Sequence, residues 1–176
     1  MIKEYQLPLT KEQLKGFKVG EQLYLSGIIY TARDTAHKLM SEALAKGEDL
    51  PIPIAGSIIY YVGPTQKREQ HQIGSAGPTT ASRMDSYTPA LYDLGLIGTI
   101  GKGKRSRAVK KSIADNQAVY LIAVGGAGAY LSQCVKSAEV VGYHQLGPEA
   151  IYKLEVERFP VIIGVDYLGN DVYEEI

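Results

Sequence analysis

Leucine, isoleucine and tyrosine crowd into "EQLYLSGIIYTA", residues 21–32, and this composition predicts a β-strand. The apolar period changes directly afterwards. In "RDTAHKLMSEALAKG" the residues Ala36, Leu39, Met40, Ala43 and Leu44 fall at helical spacing, and Gly47 supplies a stop. Thr31 and Asp34 have the form of a capping box, which would put Arg33 in the first turn. "LPIPIAG" reads as a proline-stiffened loop, and "SIIYYVG", residues 57–63, as a second strand. Polar "PTQKREQHQ" predicts a hairpin or surface loop, followed by a short strand near Gln72 to Ser75. "GPTTASRMDSY", residues 77–87, opens on a Gly-Pro turn and leads into a helix through Met84, Leu91 and Leu94 that Gly95 ends, with Pro89 as a point of interruption. "LIGTIG" predicts a buried strand, and "GKGKRSR" a turn into a helix through Val109 and Ile113. "AVYLIAV", residues 118–124, is a continuous apolar run of the parallel, doubly buried kind. "GGAG" then turns into a helix over "AYLSQCVKSAEV", and "FPVIIGVDYLGNDVYEEI" offers a last strand and turn.

Strand and helix therefore alternate in the C-terminal half, and the N-terminal third is richer in strand. A layered α/β domain accommodates this. The 176 residues read as one domain, residues 1–176, large enough to bury about two-thirds of the unfolded surface. Nineteen basic and nineteen acidic residues cancel, so no global charge draws the chain to nucleic acid or to acidic membranes. The single cysteine, Cys134, excludes an internal disulfide and any thiolate-ligated cluster built from this chain alone. Met1 leads straight into charged "KEYQ", and no apolar run reaches bilayer length, so a cytoplasmic globular protein is expected.

Four strand-to-helix junctions carry the candidate chemistry: "YTARDTAH", "GPTTASRMD", "IGKGKRSR" and "VGGAG". Ligands of open α/β folds gather at such junctions, where backbone N–H groups at helix starts attract anions. Three of the four hold a cation. Arg33, Arg83 and Lys102 would converge if their strands are neighbours, and two planar guanidinium forks suit two carboxylates. Arg83 is the most pointed of these, because a cation in a first helical turn opposes the helix dipole.

Plainer readings stand beside these. Arg33 could pair with Asp34, Arg83 with Asp85, and Lys102 could be a solvated turn lysine. Lys104, Arg105, Arg107, Lys110 and Lys111 read as a solvated face; a nucleic-acid stripe would need interleaved aromatics that are missing. "GGAG" lacks the third glycine of a dinucleotide fingerprint and reads as a tight turn. His37, His71 and His144 have no metal-ligand spacing, and Cys134 reads as a small buried residue in mid-helix. The inventory is a small-anion site rich in arginine, with no obvious general base.

"GPTTASRMDSYTPALYDLG" followed by "IGKG" resembles the β subunit of class I, iron–sulfur-dependent fumarate hydratase. "SGIIYTARDTAHK" and "FPVIIGVDYLGND" extend the resemblance over almost the whole chain. It implies a swivelling β/β/α domain. It also implies an α-subunit partner that holds a [4Fe–4S] cluster on three cysteines, so that the cluster is not ligated by this chain and no metal ligand is expected in it. By position, Arg33 and Arg83 match the family's carboxylate-binding arginines, Lys102 a substrate-site lysine, and Thr79 the threonine proposed to move the C3 proton. Thr80 would then be the helix N-cap. Ala81 and Ser82 stand in the reverse of the family's usual order, serine then a small residue. The expected function is reversible hydration of fumarate to L-malate together with the α subunit. Tartrate dehydratase shares the architecture, and Asp85 and Tyr87 lean toward fumarase. A dicarboxylate-binding module without chemistry is the reading from another class.

Overall fold

A computed structural model describes residues 1–64, 73–123 and 127–174. Residues 65–72, on which the expected hairpin or surface loop with His71 and Gln72 falls, therefore lie outside the described residues, as do residues 124–126, with Gly125 and Gly126 of "GGAG". One seven-stranded sheet organises the chain, in the order β1-β2-β3-β4-β5-β7-β6. Its strands are β1 (Lys3–Gln6), β2 (Gln22–Thr31), β3 (Ile58–Tyr60), β4 (Gly98–Gly101), β5 (Val119–Ile122), β6 (Val135–Gly142) and β7 (Ile151–Val165). Among the described residues five α-helices join them: α1 (Lys11–Lys15), α2 (Asp34–Ala45), α3 (Thr88–Asp93), α4 (Arg107–Asn116) and α5 (Gly128–Gln133). The chain is thus a mixed α/β protein.

Strands β2, β3, β4 and β5 run parallel as successive neighbours, so their carboxyl ends lie on the same side. Fifteen-residue β7 pairs antiparallel with both β5 and β2, which closes the pairings β2–β3–β4–β5–β7 into a ring. Arg158, at φ 51°, marks the corner where β7 leaves the register it shares with β6 and turns along β5. The two-residue period of the strands divides the apolar side chains between two cores. Ile58, Tyr60, Leu121, Phe159 and Ile163 belong to one, and Ile59, Tyr61 and Tyr120 pack with Met40, Leu91, Val109 and Ile113 of the helices in the other. This double burial explains why the runs at 57–63 and 118–124 are apolar without alternation.

Several expectations are corrected. "VKSAEV" is not the second half of a helix: α5 stops at Gln133, Cys134 is its C-cap, and Val135 begins strand β6. The β-branched Val135, Val140 and Val141 favour the extended form, and the ladder offered by β7 stabilises it. Residues 73–75 form no strand. The helix expected from the threonine pair onward is broken into a 3₁₀ turn, Ala81–Met84, and α3, with Pro89 in the first turn of α3. The N-terminal third holds two helices, α1 and α2, beside its strands, rather than one. Strand β1 and helix α1 are not among the elements that the apolar pattern predicts. β1 is short and polar, and exists because β2 presents a free ladder to it. α1 is signalled by a capping box that was legible at Thr10 and Gln13.

Candidate functional site

The loops that follow β2, β3 and β4 meet at the shared carboxyl end of these strands. Thr79 donates its N–H to the Tyr61 carbonyl at 2.7 Å, and its own carbonyl accepts from the Lys102 N–H at 3.3 Å. Ala81 N–H closes the seam on the Lys102 carbonyl at 2.9 Å, so Thr80 and Lys102 form a short parallel bridge. Gly101 permits this approach. A Cβ there would fall 2.9 Å from the Tyr61 ring and 3.0 Å from the Ala81 methyl. Lys102 and Thr80 point their exposed side chains out of this seam, and Thr79 is half-buried in it.

Arg83 stands in the 3₁₀ turn that follows. Its guanidinium grips Asp34, with Nε at 3.1 Å from Oδ1 and Nη2 at 2.9 Å from Oδ2, and half of the side chain remains exposed. The expected partner, Asp85, is not available to it. The helix-dipole argument also falls away, because a four-residue turn followed by a break has little macrodipole. Thr80 occupies the N-cap position without a side-chain cap hydrogen bond.

Arg33 sits at the N-cap of α2 rather than inside it, and no capping box forms there. Thr31, its expected member, instead accepts the Tyr152 N–H at 3.1 Å. The Arg33 side chain lies against Gly63, where a Cβ would come within 2.8 Å of both its Cδ and its Nη1. Its Nε is buried and makes no hydrogen bond among the described residues; the carboxylates of Asp34 and Glu149 stay 4.0 and 3.9 Å away. Asp34 therefore serves Arg83 and leaves Arg33 short of an acceptor. Glu149, which arrives from the segment between β6 and β7, was not foreseen.

His37 is buried one turn into α2. Its Nδ1–H donates to the Arg33 carbonyl at 2.7 Å, which leaves Nε2 unprotonated and without a hydrogen-bond partner among the described residues. Burial, the largest influence, depresses its pKa to about 4, with the Arg33 carbonyl pulling the other way. The ring is neutral at pH 7 and faces Tyr61 and Tyr87. A group whose folded pKa lies below its unfolded 6.5 contributes stability that is complete above pH 6.5 and lost as pH falls toward 4. Acidification across that window is expected to cost about 3 kcal/mol through His37 alone. Urea melts at pH 7 and pH 4.5 check this; a His37→Gln variant with an undiminished loss would assign the effect elsewhere.

The largest departure concerns Arg105, expected on a solvated face but fully buried. Nε meets Asp85 Oδ1 at 2.7 Å, Nη1 meets Tyr61 Oη and Thr99 Oγ1 at 3.1 Å each, and Nη2 meets Thr88 Oγ1 at 3.0 Å. The Tyr61 and Tyr120 rings flank the guanidinium at 5.1 and 5.0 Å. Four hydrogen bonds and two aromatic faces stabilise a buried charge that water no longer solvates. A run of basic residues gives no signal of which member turns inward; the tyrosine-rich strands were the only hint. Lys104, Arg107 and Lys111 are exposed as expected, while Lys110 pairs with Asp171 and Glu174.

His144 is exposed at the start of the 3₁₀ segment after β6. Cys134 is buried, its thiol pKa raised by burial, with Sγ 3.8 Å from the Tyr130 and Arg158 carbonyls. Among the described residues no three His, Cys, Asp or Glu side chains gather to hold a metal ion, so these residues do not fit an iron–sulfur cluster. No helix among them is long and apolar enough to cross a membrane.

The geometry can be set beside known proteins. A family model described as "Fumarase C-terminus" matches residues 2–176. The class I aerobic fumarate hydratase of Salmonella typhimurium is 42% identical over 167 residues, which cover 94% of this chain and 29% of that protein. Fumarate hydratase 2 of Leishmania major is 40% identical over 168 residues, 94% of this chain and 30% of its own length. A putative L(+)-tartrate dehydratase subunit beta of Methanocaldococcus jannaschii is 42% identical over 174 residues, 96% of this chain and 89% of that protein. The chain thus spans under a third of these two fumarate hydratases but nearly all of the tartrate dehydratase subunit. With a match that runs from residue 2 to residue 176, the chain belongs to the fumarase C-terminus family.

Proposed function

We propose that this chain is the β-subunit module of a hydro-lyase that reversibly hydrates fumarate to L-malate. In this reading it is the swivelling β/β/α domain that closes over an α subunit, and the α subunit's cysteines carry the [4Fe–4S] cluster. The observation that supports it best is Arg33. A buried guanidinium nitrogen without an acceptor, beside an arginine already oriented by Asp34, wants an anion. Arg33 and Arg83 would each take one substrate carboxylate, and Lys102 would add charge from the next loop. Thr79, whose backbone is fixed on both sides, would move the C3 proton. A threonine hydroxyl is a weak base in water, so that step depends on cations that stabilise the developing negative charge in a dry site.

Tartrate is the second substrate to consider, because the tartrate dehydratase subunit matches this chain in length. Anaerobic assay of the chain with its α partner, after iron–sulfur reconstitution, decides between them. Fumarate hydration that requires both chains is the expected result. Turnover of tartrate alone would favour the second reading, and dicarboxylate binding without turnover would leave only a binding module.

Gly63 offers a sharper probe of Arg33. Gly63→Ala should push the flexible guanidinium aside with little strain, since its backbone angles suit any residue. The expected result is an unchanged melting temperature and a KM raised about tenfold, about 1.4 kcal/mol. An unchanged KM would remove Arg33 from the substrate site.

A further inference from the structure

Arg105 cannot bind a substrate. Its side chain is fully buried, and four of its five N–H donors point at Asp85, Tyr61, Thr99 and Thr88. Those four acceptors come from different places: the turn that bears Arg83, the end of β3, strand β4 and helix α3. Asp85 is held from a second side, since its Oδ2 accepts the Ser106 N–H at 2.8 Å while Ser106 Oγ caps α4 through Val109 N. Thr88 Oγ1 in turn donates to the Met84 carbonyl at 2.8 Å, tying α3 back to the same turn. One guanidinium thus ties residues 85 and 88 to the ends of β3 and β4, in addition to the direct Ala81–Lys102 and Asp85–Ser106 hydrogen bonds.

We propose that Arg105 is a positioning residue: with Asp85 it clamps the turn that carries Arg83 onto the strand ends that carry Thr79 and Lys102. This rests on the functional reading above, in which those three side chains meet the dicarboxylate. Arg105→Lys keeps the charge but offers a single ammonium, which cannot reach four acceptors on different elements at once. Asp85→Asn keeps the volume but sets an amide against the Arg105 donors and the Ser106 N–H.

Amide hydrogen exchange of the full chain tests the clamp without any activity. In Arg105→Lys the amides of Ala81, Asp85, Tyr87 and Lys102 are expected to exchange at least about tenfold faster, while those of Leu25, Ile29 and Leu154 in β2 and β7 stay within about twofold. Uniform acceleration across the sheet would reduce Arg105 to a general stabiliser, and no acceleration at the turn would also overturn the proposal. If Arg105→Lys fails to fold, Asp85→Asn must give the same local pattern or the proposal falls. In the reconstituted pair, Arg105→Lys should lower kcat/KM for the dicarboxylate at least about tenfold at a temperature where it is fully folded. A local exchange pattern with unchanged kinetics would sever the clamp from the substrate site. A wild-type pair inactive on fumarate and tartrate would sink the functional reading instead, and the exchange pattern would then decide the clamp by itself.

Discussion

Replacing Arg83 with lysine is expected to lower kcat/KM for fumarate about a hundredfold in the anaerobically assembled pair, about 3 kcal/mol of transition-state stabilisation. Asp34 accepts the Nε hydrogen at 3.1 Å and its second oxygen lies 2.9 Å from Nη2 in an ion pair, which orients the guanidinium and leaves the Nη hydrogens for a carboxylate. Lysine has one ammonium. It can answer Asp34 or the substrate, but it cannot hold a carboxylate plane while anchored at two points. The misplacement would act at C3, where Thr79 is proposed to work, so the loss should appear in kcat as well as KM. Stability should hardly change, since the Arg83–Asp34 pair is half-exposed and such pairs contribute about 0–1 kcal/mol. Arg83→Ala should fall close to background. Steady-state kinetics with thermal melts as the folding control provide the check; near-normal kcat/KM for Arg83→Lys would make Arg83 merely the partner of Asp34.

Phe159→Ala is expected to remove about 3–5 kcal/mol of folding stability, the range for truncating a buried aromatic side chain. Phe159 is fully buried beside the Arg158 corner, where β7 passes from one set of partners to another. Its ring meets Tyr60 edge-on at 5.3 Å, a contact that itself contributes about 0.5–1.5 kcal/mol. The Tyr60 hydroxyl is already tied to the Ala76 carbonyl, so Tyr60 cannot swing across to fill the void. Phe159→Leu keeps most of the apolar volume and should lose less than half as much. Urea unfolding of the three proteins measures this; a loss below about 1 kcal/mol for the alanine variant would mean that this core tolerates voids.

The parallel part of the fold was legible in the sequence because its strands are buried on both faces and its helices keep a clear period. The runs at 21–32, 57–63 and 118–124 and the helices after Arg33 and Arg105 lie close to where the pattern put them. The β6–β7 pair was not legible. "VKSAEV" carries polar residues at a spacing a helix also accepts, and only its partner strand, some fifteen residues later, decides the matter. The same limit applied to the site. Loop composition picked out Arg33, Arg83 and Lys102, and the resemblance added Thr79; the structure sets all four at one end of the sheet. Loop composition could not say that Asp34 serves Arg83, that Asp85 serves Arg105, or that Glu149 approaches from far along the chain. Charge pairing across a fold is a property of distance, and the sequence shows only order.

The closed circuit of pairings through β2, β3, β4, β5 and β7 leaves β1 and β6 as the outer strands of the sheet. Exposed strand edges are where sheet proteins add to one another and aggregate. Here one edge is four residues long and includes Lys3 and Glu4, and the other is studded with Lys136 and Glu139. A short edge and a charged one both resist edge-to-edge growth, because an incoming strand would have to strip water from those charges. The fold thereby guards against self-association at the two edges that its sheet leaves open among the described residues.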